Sequence, residues 1–151
     1  MKIVQDYKDL LVLLEAHCVD YLLIGGYAVG LYGYTRATVD LDIWVRRSLD
    51  NARKVERVLA EFGFPLNNIK VEDFTDENAI FHMGLPPNRL DILTSISGVE
   101  FDLAFSRKKR ALLGGIEINI ISLADLKINK LASARYKDLN DLQELNKNTS
   151  E

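Results

Sequence analysis

One cysteine and two histidines among 151 residues leave little room for thiol or imidazole chemistry. Cys18 has no intramolecular partner, which suits a reducing compartment, and its place in an amphipathic N-terminal segment predicts a core thiol. His17 and His82 have no partner at metal-ligand spacing and receive no role. No run approaches the roughly 18 apolar residues of a membrane span. The start, Met1-Lys2-Ile3-Val4-Gln5-Asp6, lacks a signal-peptide layout, so the expected location is the cytoplasm. Gly25-Gly26-Tyr27-Ala28-Val29-Gly30 misses the Gly-x-Gly-x-x-Gly spacing, and no Gly-Lys-Ser/Thr follows to make a P-loop. Internal repeats and low-complexity linkers are absent as well. The expectation is one domain over residues 1–146, large enough to build a core without disulfides, followed by a polar tail over 147–151.

Charge of one sign is also missing. The net charge of −3 argues against a surface devoted to nucleic acid, but the balance is uneven along the chain. Residues 1–106 hold 10 Lys and Arg against 16 Asp and Glu, whereas residues 107–151 hold 9 against 6. A ligand carrying both cations and phosphates would find acidic groups in one part and basic groups in the other; a merely uneven solvated surface fits the same counts. The basic run Arg107-Lys108-Lys109-Arg110 has no interleaved aromatics and reads as a solvated loop before a nucleic-acid contact.

What is present is concentrated between residues 22 and 45. The apolar run Leu22-Leu23-Ile24 ends in Gly25-Gly26, and Thr38-Val39-Asp40-Leu41-Asp42-Ile43-Trp44-Val45 follows, with Asp40 fourteen residues after Gly26. On a strand, residues i and i+2 share a face, so Asp40 and Asp42 present two carboxylates together while Leu41, Ile43 and Val45 face the core. A glycine pair lets backbone approach a ligand closely, and a helix opening there attracts phosphate; an ordinary strand-to-helix turn uses glycine in the same way. Asp40-Leu41-Asp42 lacks the further oxygens and the glycine of a calcium loop. Trp44 is in phase with Asp42, which places it near the carboxylates or against a neighbouring helix.

Glycine pair, short helix and Asp-x-Asp strand together resemble the signature of the DNA polymerase beta-type nucleotidyltransferase superfamily. The minimal bacterial members and the nucleotidyltransferase-like toxins of toxin–antitoxin and abortive-infection systems are the groups most like it. The resemblance covers most of residues 20 to 145, although no acceptor-binding domain is evident. It implies that Asp40 and Asp42 bind divalent metal, Mg²⁺ or Mn²⁺. It also implies a third carboxylate from a later strand, for which Asn88-Arg89-Leu90-Asp91-Ile92-Leu93 supplies Asp91, a metal ligand that helps deprotonate the acceptor. By the same resemblance Gly25, Gly26, Arg36 and Thr38 line a nucleotide site. Arg36 is equally a loop arginine. Lys130, Arg135 and Lys137 match basic positions near a triphosphate, or else solvate helix ends. Asp138 and Asp141 match the acidic end of that motif, with an N-cap as the alternative for Asp138. For Lys130 to reach triphosphate, its helix must pack across the open end of the sheet, turning Ile128 and Leu131 inward.

Periodicity predicts helices over 6–16, 26–32, 49–62, 100–106, 122–131 and 138–145, with Ser48 and Ser122 as caps and Leu139, Leu142 and Leu145 forming the apolar side of the last. Strands are predicted over 21–24, 40–45, 79–83, 89–93, 110–113 and 117–121, with 66–78 irregular. The expected fold is mixed α/β, a nucleotidyltransferase fold with a central mixed sheet flanked by helices. The expected function is transfer of a nucleoside monophosphate from an NTP to a protein hydroxyl, an RNA 3′ end or a small molecule such as an aminoglycoside. The other reading is a catalytically weak nucleotide-binding or protein-interaction component of a toxin–antitoxin or abortive-infection pair. Presence of all three carboxylates favours the enzyme.

Overall fold

The structure, a computed structural model, describes residues 3–84 and 88–148. Its apolar runs assemble into one six-stranded mixed sheet. In chain order the elements are α1 (Gln5–Ala16), β1 (Tyr21–Ile24), α2 (Gly25–Leu31), β2 (Asp40–Val45), α3 (Leu49–Phe62), β3 (Ile80–Met83) and β4 (Arg89–Leu93). They continue with α4 (Phe101–Ser106), β5 (Lys109–Leu113), β6 (Ile116–Ile120), α5 (Leu123–Ser133) and α6 (Tyr136–Asn148). The sheet order is β3-β4-β2-β1-β6-β5. β2 lies parallel to β4 and β1 parallel to β6, while β1–β2, β3–β4 and β5–β6 are antiparallel. β1 is central and apolar throughout, and all four of its residues are buried.

The chain reads into these elements for local reasons. Ser48 Oγ accepts the Asn51 N–H at 3.2 Å, opening α3, and Gly63 closes it in the left-handed region at φ 98°. Between the caps, Ala52, Val55, Val58 and Leu59 make a buried stripe. Asn51 joins the helix to the sheet. Its Oδ1 accepts the Asp20 N–H at 2.8 Å, and its Nδ2 donates to the carbonyls of Asp20 and Arg46, both at 3.0 Å. The two strands that enclose the first carboxylates are thereby pinned at one end.

Several expectations change. Cys18 is exposed, because α1 ends at Ala16 and the chain turns through Cys18 at φ 55°, so it is not a core thiol. The polar stretch before β3 contains a 3₁₀ turn, Val71–Thr75, anchored by the fully buried Phe74, whose ring lies 4.7 Å from that of Phe81. Of the leucines on α6, Leu145 is buried but Leu139 is exposed. Ile128 and Leu131 are exposed too, so α5 turns its lysine inward and these residues outward. The turn between β3 and β4 falls partly outside the described residues. Among those described, no helix is long and apolar enough to cross a membrane.

Asn51→Ala is expected to lower the unfolding free energy by about 1–3 kcal/mol, because it strands backbone groups of Asp20 and Arg46 without their partner. Urea denaturation reads this directly, and an unchanged midpoint would show that β1 and β2 hold together without it.

Candidate active site

Parallel register sets the floor of the site. Asp40 is opposite Arg89 and Asp42 is opposite Asp91 on the adjacent strand, while His82 on β3 is opposite Asp91 from the other side. Alternation along each strand sends these five side chains to one face and Leu41, Ile43, Leu90 and Ile92 into the core. The face opens into a cavity of about 640 Å³ whose wall is formed by residues of α5 and α6.

Three carboxylates on neighbouring strands repel one another. Burial first, and then the charge of Asp91 and Asp40, pushes the Asp42 carboxyl up to about 7; it hydrogen-bonds to Asp91, and the charge of Lys137 pulls weakly the other way. The remaining carboxylates have local hydrogen-bonding partners. Arg89 Nη2 donates to Asp40 Oδ2 at 3.0 Å and to Asp91 Oδ2 at 3.5 Å, and His82 Nδ1 lies 2.6 Å from Asp91 Oδ1. Beneath the floor, the Tyr7 hydroxyl lies between the carbonyl oxygens of Val39 and Arg89, tying together the starts of β2 and β4. Burial, followed by the neighbouring Tyr27 and Asp40, raises that phenol to about 12, so it remains a donor.

The glycine pair is demanded by close approach. A Cβ on Gly25, which sits at φ 71°, would lie 2.0 Å from Asp42 Oδ2. One on Gly26 would lie 2.4 Å from Thr38 Oγ1 and 3.4 Å from Arg36 Nη2. The start of α2 is thus pressed against Asp42 on one side and against Thr38 and Arg36 on the other. Both glycines border the cavity.

The basic residues divide into two kinds. Lys130 is 4% exposed, and its Nζ lies 3.3 Å from Asp138 Oδ1 and 3.1 Å from Asp141 Oδ2. Arg36 holds Asp141 through two bonds of 2.8 and 3.0 Å, and Arg135 holds Asp138 at 2.7 Å. Against the cost of burial, the bonds and charge of Arg135 and Lys130 keep the Asp138 carboxyl below the usual carboxylate range. Lys130 and Arg36 thus join an ion cluster that ties α5, α6 and the approach to β2 together, and Lys130 also lines the cavity. Arg135 and Lys137 are exposed at the cavity rim. Trp44 is buried and packs edge-on against Phe101 at 5.1 Å, so it belongs to the α4 contact and not to the cavity.

Two residues of the site, Arg89 and His82, had been given no role. The i, i+2 relation of Arg89 to Asp91 was readable in the sequence as a shared face; the position of His82 depended on the β3–β4 register, which was not. The donor chemistry of the three carboxylates suits a hard divalent cation, which would relieve the crowding at Asp42. In their present arrangement, however, Arg89 stands against both Asp40 and Asp91, and among the described residues no three His, Cys, Asp or Glu side chains are disposed as a metal cage.

This architecture is shared with solved structures. The chain is similar to the lincosamide antibiotic adenylyltransferase LnuA, solved with lincomycin bound, at a TM-score of 0.65 and 17% identity over 98% of this chain and 99% of that one. It is similar to ANT(2'')-Ia in complex with adenylyl-2''-tobramycin at a TM-score of 0.66 and 14% identity, over 93% of this chain and 86% of that one. TM1012 from Thermotoga maritima, assigned to the nucleotidyltransferases, matches at 0.65 and 16% over 95% and 94%. No protein-family model and no curated protein sequence matches. At these identities what is shared is the fold, and the chain has the nucleotidyltransferase fold.

Between about pH 4 and 7 the folded chain holds a proton on Asp42 that the unfolded chain has released, so this residue's contribution to stability is fullest in acid and is lost as pH rises through 7. In EDTA, Asp42→Asn is expected to be more stable than the native chain at pH 8, with the advantage vanishing near pH 4; equal urea midpoints at pH 8 would contradict the crowding. Lys130→Met is expected to cost about 3–5 kcal/mol of stability, since it leaves two buried carboxylates short of a partner. Loss of nucleotide affinity with stability intact would instead place Lys130 on the ligand.

Proposed function

We propose that this protein is an enzyme, a nucleotidyltransferase that moves a nucleoside monophosphate from an NTP to a hydroxyl-bearing acceptor. The observation that carries the reading is the in-register placement of Asp42 beside Asp91, with Asp40 on the same face, under a glycine turn packed directly on Asp42. In the reaction the acceptor oxygen forms a bond to the α-phosphorus, the bond from that phosphorus to the β-phosphate oxygen breaks, and pyrophosphate leaves. Catalysis of this kind consists mostly of alignment and charge neutralisation.

Asp40, Asp42 and Asp91 are the residues that would hold Mg²⁺ or Mn²⁺. Bound there, the cation supplies charge neutralisation and polarisation of the reacting phosphoryl group. The protein's own part is positional. The backbone of Gly25 and Gly26 admits phosphate oxygens close to Asp42, where any side chain would collide. Lys137 and Arg135, exposed at the rim, receive the outer phosphates, and Arg36 and Thr38 brace the glycine turn from behind. Asp91, whose carboxylate is oriented by His82, accepts the acceptor hydroxyl's proton. LnuA and ANT(2'')-Ia, with which the fold is shared, were solved with an antibiotic and an adenylylated antibiotic respectively, which supports a small hydroxylated acceptor alongside a protein hydroxyl or an RNA 3′ end.

A second reading draws on Arg89. Its guanidinium occupies Asp40 and Asp91, as would suit a nucleotide-binding or protein-interaction component of a toxin–antitoxin or abortive-infection pair that does little catalysis.

Incubation of the chain with α-labelled NTPs, Mg²⁺ and cell extract is expected to transfer label to an acceptor. Asp91→Asn is expected to reduce transfer about 10²–10⁴-fold, the range for loss of a positioned general base. Label passing from the γ-position but not the α-position would identify a kinase instead, and no transfer with any NTP would favour the binding component. In calorimetry, NTP binding is expected to strengthen with Mg²⁺ in the native chain and to lose that dependence in the Asp40→Asn, Asp42→Asn double variant. Equal Mg²⁺ dependence in both would put the cation elsewhere.

A further inference from the structure

The cavity floor contains a cation already, and it is bound less directionally than Arg36 or Arg107. Arg36 grips Asp141 through two bonds of 2.8 and 3.0 Å, and Arg107 grips Asp125 through two of 3.0 and 2.9 Å; each is a bidentate fork, the geometry in which guanidinium binds carboxylate most strongly. Arg89 does not make a fork with either of its carboxylates. A single nitrogen, Nη2, is divided between Asp40 Oδ2 at 3.0 Å and Asp91 Oδ2 at 3.5 Å. Its Nε–H lies 3.1 Å from Asp91 Oδ1 but is not aligned to donate, and it is left as a buried donor with no hydrogen-bond partner. A buried unsatisfied donor is uncommon in folded proteins and costs free energy. Arg89 thus spans the shelf by charge, with poor hydrogen bonding, and with its side chain 39% exposed it has a route out.

We propose that Arg89 is a displaceable internal counter-ion: its guanidinium stands in for a divalent cation between Asp40 and Asp91, and leaves those carboxylates when the cation enters. This rests on the reading of Asp40, Asp42 and Asp91 as a cation site. Two observations place Arg89 in that position. Its Cα is in register with Asp40 across the parallel pair, and it is two residues before Asp91 on the same strand, so one side chain meets both groups. The Tyr7 hydroxyl holds the Arg89 carbonyl, so the backbone is fixed and only the side chain needs to move. The consequence is competition. A cation binding to the shelf alone must overcome the charge of Arg89, whereas a cation arriving with a triphosphate brings anionic oxygens to which the released guanidinium can turn. Arg89 is on this view a positioning residue, which keeps the three carboxylates together without metal and couples cation entry to nucleotide.

Binding of Mn²⁺ without nucleotide, read from the electron paramagnetic resonance signal of the free ion, tests this in the native chain, Arg89→Gln and Arg89→Lys. Arg89→Gln is expected to bind Mn²⁺ at least tenfold more tightly than the native chain, while Arg89→Lys, which keeps the charge, stays within about threefold of it. Adding an NTP is expected to tighten Mn²⁺ binding more in the native chain than in Arg89→Gln. Weaker or equal binding in Arg89→Gln would overturn the proposal while leaving the cation site standing. No Mn²⁺ binding by any of the three, with or without NTP, would overturn both. Should Arg89→Gln not fold, the native chain supplies the answer by ¹⁵N NMR of arginine side chains, with the Arg89 Nε–H resonance identified by its absence in Arg89→Lys. Saturating Mg²⁺ and NTP are expected to shift it, and an unmoved resonance would overturn the proposal.

Discussion

The parallel pairing of β2 with β4 is the constraint on which the rest of the molecule turns. Parallel neighbours stand about 4.8 Å apart with side chains in phase, so placing Asp42 opposite Asp91 and Asp40 opposite Arg89 fixes three carboxylates on one small area. Hydrophobic burial on the other face secures that register: a one-residue slip would turn Leu41, Ile43, Leu90 and Ile92 out of the core and the carboxylates into it. The acidic cluster is therefore held against its own repulsion by apolar packing. Its electrostatic cost appears at Asp42, whose carboxyl is pushed up to about 7 by burial and by Asp91 and Asp40.

Around that cluster, basic side chains are committed at three levels. Lys130 and Arg36 are fully engaged with Asp138 and Asp141 and serve the packing of α5 and α6. Arg89 and His82 are engaged with the carboxylates themselves. Arg135 and Lys137 sit exposed at the cavity rim, Arg135 while bonded to Asp138. The direct partners of the floor carboxylates thus come from the same part of the chain as the carboxylates, and the C-terminal part adds the nearby charges of Lys137 and Arg135. Arg107 and Arg110 take no part in this, being paired with Asp125 and with Glu15.

Where local chemistry decides structure, the sequence was readable. Ser48 and Gly63 bracket α3, Ser122 caps α5 by accepting the Asp125 N–H, and period-two alternation put Asp40 and Asp42 on one face. Asp91 was legible as a lone carboxylate between two core residues. What could not be read was partnership across long separations. Arg36 and Asp141 stand 105 positions apart, and nothing near either residue announces the other. Lys130 resembles an ordinary lysine near a helix end until α6 packs against α5 and makes its burial affordable through two carboxylates. Ile128 and Leu131 then face outward, reversing the apolar assignment of that helix. Cys18 was misplaced because the left-handed turn that follows the correctly read end of α1 leaves it exposed, and His82 by a hairpin register that the turn residues left undetermined.

The most direct measurement is an anomalous difference map from crystals grown with Mn²⁺ and a non-hydrolysable NTP analogue. The expected result is Mn²⁺ density touching Asp42 and Asp91, with the triphosphate against Gly25 and Gly26 and the Arg89 side chain turned away from Asp40. Density for Mn²⁺ and triphosphate at any other part of the surface, with Arg89 still lodged between Asp40 and Asp91, would contradict the assignment of this cavity as the site of nucleotidyl transfer.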